Sequence, residues 1–437
     1  MSEVKEWVGW FRNASPYINS QRKQVMVLAL SGSVIEHSNF ENIVHDISLL
    51  SSLGVRLVLV LGARPQINAN LAKNNCQSNF HLGLRVTEPN TVHHVLEAYG
   101  RIRSEVEAKL SMGLINSPMH GAKLKVVSGN YVMARPHGVI NGVDLGLTGH
   151  VRSIDKLGIT KQLDDGSVVL MTSTGYSVTG DVFNLSYEEL ACEVAAKLSA
   201  DKIIFFGLDR CLKNDTGALL RQITIDQAEQ YANTKHKVFS EEQISHLSAS
   251  AKACANGVTR AHIISHIQDG ALLEELFTRD GSGTMVSLDE FDQIRPARLE
   301  DTNGILKLIQ PLEEQGYLVR RSRELLETEL DYFLVEVRDN AIIACVGLYP
   351  FPADQAGELS CFAVDSAYRK EGRGDRLLSA IEGRARTQKL MKLFVLTTKT
   401  EHWFKERGFN AVSKQDLPGN KNYNSGRNAK VLMKTLN

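Results

Sequence analysis

The sequence predicts an α/β protein in two parts, a mainly parallel αβα sandwich followed by a smaller α+β domain. Three observations carry this expectation. At 437 residues the chain exceeds one ordinary domain. Short, near-continuous apolar runs such as Val25–Leu30 and Arg56–Leu61 alternate with amphipathic segments, the rhythm of a parallel sheet covered on both faces. Beyond the acidic stretch Leu288-Asp-Glu-Phe-Asp292 the rhythm changes to a hairpin, then a strand, a glycine-bearing turn and a helix.

In chain order, residues 4–12 set Val4, Trp7, Val8 and Phe11 on one helical stripe, whose rings need cover from the chain itself or another subunit. Val25–Leu30 and Arg56–Leu61 read as buried strands around a helix near Asn39–Leu53. Strands at Val168–Met171, Lys202–Phe206 and His262–Ser265 alternate with helices at Pro89–Ser111, Ser186–Leu198 and Glu241–Asn256, and this half ends near Thr284–Ser287. A second pattern starts at Ile294-Arg-Pro-Ala-Arg298. Leu299–Gly316 predicts a helix, and Tyr332–Val337 with Ile342–Leu348 predicts a hairpin across Asp339-Asn340. Strand Leu359–Val364, helix Asp375–Gln388, strand Leu393–Thr397 and short helix Glu401–Arg407 follow. The chain carries no internal repeat.

Composition narrows the function classes. The chain is 43% hydrophobic and 23% charged, with 50 basic and 50 acidic residues, so no overall field favours nucleic acid or an anionic membrane. The six cysteines are scattered without a C-x-x-C pair, which points to neither a zinc site nor a disulfide framework and fits a reducing compartment. No metal is called for. The opening residues lack a signal pattern and no apolar run reaches bilayer length, so a cytoplasmic protein is expected.

The most informative segment is Arg369-Lys-Glu-Gly-Arg-Gly374, between an apolar strand and a helix. Free backbone N–H groups at a helix N-terminus attract anions, and Gly372 and Gly374, lacking Cβ, let a diphosphate come close. A plain glycine turn satisfies the same spacing. Glu358 opens the strand leading into this loop, where a carboxylate serves either as a base removing an ammonium proton or as a solvated edge charge. Arg320-Arg-Ser-Arg323 and Gly426-Arg427-Asn428 offer guanidinium forks suited to carboxylates, though surface arginines look the same and Arg323 can pair with Glu327 one turn on.

The R-x-x-G-x-G pattern in this setting resembles the coenzyme A loop of the GNAT N-acetyltransferases. The whole chain resembles the bacterial-type N-acetylglutamate synthases, an amino-acid-kinase-like domain joined to an acetyltransferase domain. The resemblance rests on Leu61-Gly-Ala-Arg-Pro-Gln66, Gly83-Leu-Arg-Val-Thr87, Phe183-Asn-Leu185, Glu274-Glu-Leu-Phe277 with Gly281-Ser-Gly-Thr284, Leu318-Val-Arg-Arg-Ser-Arg-Glu324 and Tyr423-Asn-Ser-Gly-Arg-Asn428. It implies residues 1–20 as an inter-subunit helix, 21–288 as the kinase-like domain and 292–437 as the acetyltransferase. The implied reaction is acetyl-CoA plus L-glutamate giving N-acetylglutamate and CoA, the first step of arginine synthesis, without a metal.

By motif, Glu358 is the implied general base and Thr397 the hydroxyl donor, a position often serine in relatives. Many relatives carry a tyrosine where Phe404 stands. Arg321 and Arg427 match the glutamate binders, and Ala429 replaces a serine of some relatives. Phe362, Val364, Arg369, Glu371, Gly372, Arg373, Gly374 and Asp375 line the implied cofactor site. In the first domain Ala29 stands where amino-acid kinases have a phosphate-binding lysine, the three-glycine turn reads Gly62-Ala63-Arg64, Glu188 matches the metal-organising aspartate, and Lys252 persists. These changes argue against kinase activity, while Gly83-Leu-Arg85 and Asn184 retain the outline of an acidic-ligand pocket. Arginine-sensitive relatives build an inhibitor site at positions matching Tyr17, His262, Glu275 and Gly281, and assemble as a ring, implying a hexamer. Two rival readings are an acetylglutamate kinase with an appended acetyltransferase and a non-catalytic arginine sensor.

Overall fold

The computed structural model describes residues 2–112, 124–208, 211–214, 217–233, 239–288, 293–338, 341–369, 372–419 and 429–436, with the side chains of 2–7 and 367 excluded. The chain divides into two compact units, Met1–Glu290 and Phe291–Asn437. The presumed turn at Asp339-Asn340, the side chain of Trp7, and Lys370, Glu371 and Arg427 lie outside the described residues.

The first unit is built on an eight-stranded sheet. Strand Val25–Leu30 lies between Arg56–Leu61 and Lys202–Gly207, parallel to both, with Ala29 opposite Val60 and Phe205. Because the pleat alternates faces, Val27 and Ala29 enter one hydrophobic core while Met26, Leu28 and Leu30 enter the other. That double burial is why these strands are apolar throughout. Each fully buried Leu or Val contributes about 1.5–3 kcal/mol. One edge departs from the parallel expectation: Thr284–Ser287 runs antiparallel to Arg260–Ser265. Helix Tyr187–Leu198 starts on a Ser186 cap whose hydroxyl accepts from the Glu189 N–H. A separate four-stranded sheet uses Val132–Pro136, Gly149–Ile154, Thr174–Tyr176 and Val182–Asn184; the last two are too short to show a period, and the first two mix polar and apolar residues without strict alternation. The N-terminal helix Ser2–Gln21 is longer than its apolar stripe predicts. It packs on helix Ala271–Phe277 and leaves Trp10 and Phe11 each 48% exposed.

The second unit is a seven-stranded sheet in the order Gln293–Pro296, Phe333–Arg338, Ala341–Phe351, Ala356–Val364, Lys392–Thr397, Lys430–Thr435, Asn410–Ala411. Every neighbouring pair is antiparallel except Ala356–Val364 with Lys392–Thr397. Helix Arg373–Thr387 lays Leu377, Leu378, Ile381 and Ala385 on one face of the sheet. Helices Thr302–Glu314 and Arg323–Glu329 cover the other through Ile305, Ile309 and Leu326. The long helix expected at Leu299–Gly316 is in fact a short 3-10 turn, Leu299–Asp301, followed by Thr302–Glu314.

Candidate active site

In the second unit, the one parallel pair among the described strands comes apart part-way along. Ala356–Val364 and Lys392–Thr397 are in register from Ala356–Lys392 to Leu359–Val395 and no further. On their outer flanks both stay paired, to Val364 opposite Ala344 and Thr397 opposite Lys430. The cleft side of Ser360–Val364 therefore presents backbone donors and acceptors that need a partner other than the neighbouring strand, as an extended polar chain supplies. A β-bulge lies in the same stretch. Between Gly347–Ser360 and Cys345–Ala363 the register slips, and Cys361 takes the left-handed conformation at φ +49°.

Gly372, at φ +69°, caps helix Arg373–Thr387, a conformation glycine adopts without strain. Its carbonyl accepts from the N–H groups of Asp375 and Arg376 at 3.1 and 3.2 Å, and the first-turn N–H groups before them have no intrahelical acceptor. Gly374 is needed for a different reason: a Cβ there would lie 2.8 Å from Cζ2 of Trp403. The Arg373 side chain turns inward to Glu336, Nη1 to Oε1 2.9 Å, with both groups buried, so at this turn Arg373 offers its backbone and not its guanidinium. Asp375 is likewise committed, bridging Arg407 Nε at 2.5 Å and Nη2 at 3.1 Å, with the Arg407 guanidinium 4.0 Å over the Trp403 ring. Arg369 Nε donates to the Val364 carbonyl at 3.2 Å. Phe362 packs at an angle against Trp403 and edge-on against Phe404. Phe404 itself is buried in the core, packed on Phe409.

Glu358 lies on Ala356–Val364 just before the strands separate, opposite Tyr349 and Phe394, and is 9% exposed. Thr397 ends the facing strand. Its Oγ1 accepts from the N–H groups of Lys399 and Thr400 at 3.3 and 3.0 Å and shares a 2.8 Å bond with Thr400 Oγ1. Arg321 is brought to the Glu358 strand: Nη2 donates to Ser360 Oγ at 3.0 Å and Nε to Cys361 Sγ at 3.0 Å. Its Nη1 meets Glu329 Oε2 and, at 2.9 Å, Tyr349 OH. Burial opposes its charge, but Cys361, Tyr349 and Glu329 outweigh that and hold the guanidinium more firmly protonated. Arg323 pairs with Glu327 at 2.8 Å. The partners Glu329, Tyr349, Ser360 and Cys361 were not anticipated, since nothing local in the sequence ties them to Arg321.

In the first unit Ala29 is wholly buried in the sheet. Gly62 packs so closely on Tyr187 that a Cβ would lie 2.9 Å from its ring. Glu188 accepts from Ser186 Oγ at 2.6 Å and Ser245 Oγ at 3.1 Å, and Lys252 pairs with Glu193 at 3.1 Å. Arg85 is buried and hydrogen-bonds Asn68 Oδ1 at 2.7 Å, while Asn184 Nδ2 donates to Thr87 Oγ1 at 3.1 Å. Burial pulls the Arg85 pKa down to about 10, and nearby Arg64 adds to the shift.

His262, Glu275 and Gly281 converge. His262 Nδ1 lies 2.6 Å from Glu275 Oε1, and Glu275 Oε2 accepts from the Ser282 and Gly283 N–H groups at 2.5 and 2.8 Å. Gly281 sits so near that a Cβ would be 2.5 Å from the same oxygen. Burial raises the Glu275 pKa, but the His262 bond and the two N–H donors outweigh it and the net shift is downward. Burial lowers that of His262 despite its carboxylate partner, so a neutral imidazole donates to a carboxylate. Tyr17 packs, half-buried, against the core beneath the N-terminal helix. No helix among the described residues is long and apolar enough to cross a membrane, and none of their side chains cluster as a metal-binding group.

Two family models match in order, the amino acid kinase family over residues 24–265 and the acetyltransferase (GNAT) family over 302–409. An amino-acid acetyltransferase of Pseudomonas fluorescens is 50% identical over 435 residues, 99% of this chain and 100% of that protein. One from Pseudomonas aeruginosa is 49% identical with the same coverage. N-acetylglutamate synthase from Neisseria gonorrhoeae, solved with coenzyme A and L-arginine, superposes with a TM-score of 0.83 at 34% identity, covering 98% of this chain and 99% of that one. Its complex with coenzyme A and N-acetyl-glutamate gives 0.63 at 36% identity with equal coverage. Half-identity over the full length of its relatives, with both domains in order, establishes that this chain belongs to the bacterial N-acetylglutamate synthase family of amino-acid acetyltransferases.

Proposed function

We propose that the protein transfers the acetyl group of acetyl-CoA to the α-amine of L-glutamate and is inhibited by L-arginine. The observation that carries this reading is the separated parallel pair, with Glu358 at its fork and the Gly372 helix start beyond it. The pantetheine arm pairs with the backbone of Ser360–Val364 beside Phe362. The diphosphate sits on the N–H groups of the Gly372–Gly374 turn, with Arg369 beside it; Arg373 and Asp375 serve by backbone and by bracing the turn, and Glu371 is expected to contribute from the motif alone. Glu358 takes the ammonium proton, directly or through water. The freed amine attacks the thioester carbonyl, the C–N bond forms and the C–S bond breaks. Two N–H donors on Thr397 Oγ1 polarise that hydroxyl toward donating its hydrogen to the departing thiolate, and the second proton shed by the attacking nitrogen as the amide forms restores it through solvent. Arg321 and Arg427 hold the two carboxylates of glutamate.

In the first domain, Tyr17, His262, Glu275 and the bend at Gly281 form the arginine site. Residues 1–20 bind neighbouring subunits, covering Trp10 and Phe11, in a hexamer; residues 21–288 regulate without catalysing; and the enzyme is cytoplasmic. Arginine inhibits by favouring an arrangement less competent for transfer. The test is CoA release from acetyl-CoA across the amino acids, with and without arginine. Release with glutamate alone, suppressed by arginine, is expected. Turnover of ATP with N-acetylglutamate would instead revive a kinase reading, which the buried Ala29 opposes.

A further inference from the structure

The Arg321 environment carries an inference about how the acceptor is selected. A guanidinium has five N–H groups in a planar fork. Here Nε–H is directed at Cys361 Sγ, the two hydrogens of Nη1 at Glu329 and Tyr349, and one hydrogen of Nη2 at Ser360 Oγ. Among the described residues, one Nη2 hydrogen is left without a partner. Ser360 Oγ accepts from Arg321, and among the described residues its own hydrogen has only the Cys361 sulfur, 4.0 Å away. The result is an N–H and an O–H donor side by side on the strand that carries Glu358.

We propose that Ser360 is a substrate-binding residue that, with the Nη2 edge of Arg321, clamps the side-chain carboxylate of the acceptor, and that Glu329 and Tyr349 are positioning residues that keep this edge turned toward it. The proposal rests on the reading of Arg321 as an acceptor-carboxylate group. Three features support it. Consecutive residues of a regular strand face opposite ways, yet Ser360 and Cys361 both reach one guanidinium, because the bulge and the left-handed Cys361 bring them to the same side. A non-glycine residue rarely adopts that conformation unless its surroundings hold it there. On the far edge, Tyr349 OH donates to Glu329 Oε2 at 2.5 Å while accepting from Arg321, so the brace is itself braced. Burial foremost, then Glu329, push the Tyr349 pKa up, which keeps that hydroxyl a donor. Finally, two residues along a strand span about 6.6 Å, and extended glutamate sets its side-chain carboxyl carbon about 5 Å from its amine by ordinary bond lengths. A base at 358 and a clamp at 360 match glutamate; aspartate, one carbon shorter, falls short.

The test is steady-state kinetics of the full-length enzyme with glutamate and glutamine as acceptors. Ser360→Ala should raise KM for glutamate about tenfold, leave KM for acetyl-CoA within about twofold, and erode the preference for glutamate over glutamine by a similar factor. Ser360→Thr, which keeps the hydroxyl, should recover most of it, and Tyr349→Phe should raise KM for glutamate several-fold. A KM for glutamate within twofold of the parent in Ser360→Ala, or equal losses on both acceptors, overturns the clamp. Arg321→Lys separates the levels. If it raises KM for glutamate while Ser360→Ala does not, only the clamp falls; if it changes nothing, the reading of Arg321 falls with it.

Discussion

Glu275 offers the sharpest test of feedback control, because the structure sets two substitutions at different costs. Its carboxylate is 5% exposed and accepts from His262, the Ser282 N–H and the Gly283 N–H. Glu275→Ala would leave three buried donors without an acceptor, at about 1–3 kcal/mol each, so about 5 kcal/mol overall after partial relaxation. For a domain of this size that lowers Tm by about 10–20 °C, and loss of arginine sensitivity would be confounded with damage. Glu275→Gln keeps an oxygen for the two backbone N–H groups. Its amide then faces His262 Nδ1, and the imidazole must carry its hydrogen on Nε2, which has no hydrogen-bond partner among the described residues. One unpaired buried donor puts the cost at about 2 kcal/mol. The same change removes the anion that would receive a guanidinium, worth about 2.7 kcal/mol, or about 100-fold in affinity. Initial rates of CoA release against arginine concentration, with a melting curve for each variant, give the answer. The expected Glu275→Gln enzyme keeps its turnover, melts a few degrees lower and needs about 100-fold more arginine. An inhibition constant within threefold of the parent, in a variant that melts as expected, would refute the effector site.

Other outcomes follow from the geometry. Glu358→Gln should lower kcat by about 10²–10³ with KM for acetyl-CoA within twofold, since a base acts after binding; stopped-assay rates at saturating substrate decide it, and an unchanged kcat would remove Glu358 from the mechanism. Gly372→Ala, strained at φ +69° with open space around it, and Gly374→Ala, crowded against Trp403, should both raise KM for acetyl-CoA. Only the second should be partly relieved by Trp403→Phe. The His262–Glu275 pair should make the chain acid-sensitive. The folded-state pKa of His262 lies below its ordinary 6.5, so its share of stability is present above that pH and is lost as pH falls toward the folded value. That of Glu275 lies below its ordinary 4.5, so its share is full above pH 4.5 and is lost on further acidification. Tm should therefore drop between pH 7 and 5, with a shallower drop in His262→Gln; equal slopes would show that the pair does not set the acid response.

Elements buried on both faces were legible in the sequence because their composition leaves no other reading. Val25–Leu30, Arg56–Leu61 and Lys202–Gly207 are apolar nearly throughout, and the structure puts alternate residues of the first into opposite cores. Strands of two or three residues, such as Val126–Val127 and Val182–Asn184, are too short for a period of two to show. Helix Arg323–Glu329 left only a weak trace for a related reason: of its seven residues, two of them leucines, only Leu326 is buried, so the i,i+4 spacing of Arg323 and Glu327 was its main sign in the sequence. Its Ser322 cap, with the hydroxyl accepting from the Leu325 N–H, was a further clue.

Side-chain destinations were harder to read than elements, and the loop at Arg369–Gly374 shows why. Sequence spacing assigns Arg373 to an anion, but a residue that opens a helix also faces whatever that helix packs on. Here that is Glu336, fully buried in strand Phe333–Arg338 among apolar neighbours. An ionised carboxylate in such a place requires a cation, and the Arg373 guanidinium supplies it at 2.9 Å. The signal was present after all, in the alternation Leu334-Val-Glu-Val337, where one acidic residue sits in an otherwise apolar strand. The same reasoning applies to Gly374, whose missing Cβ makes room for Trp403. The anion binding proposed for this turn would thus depend on backbone N–H groups, while the side chains around it fix the turn in place: Arg373 on Glu336, Asp375 on Arg407, and Arg407 on Trp403. Substitutions at these braces should act on acetyl-CoA affinity through the turn, without touching the acceptor's grip at Arg321.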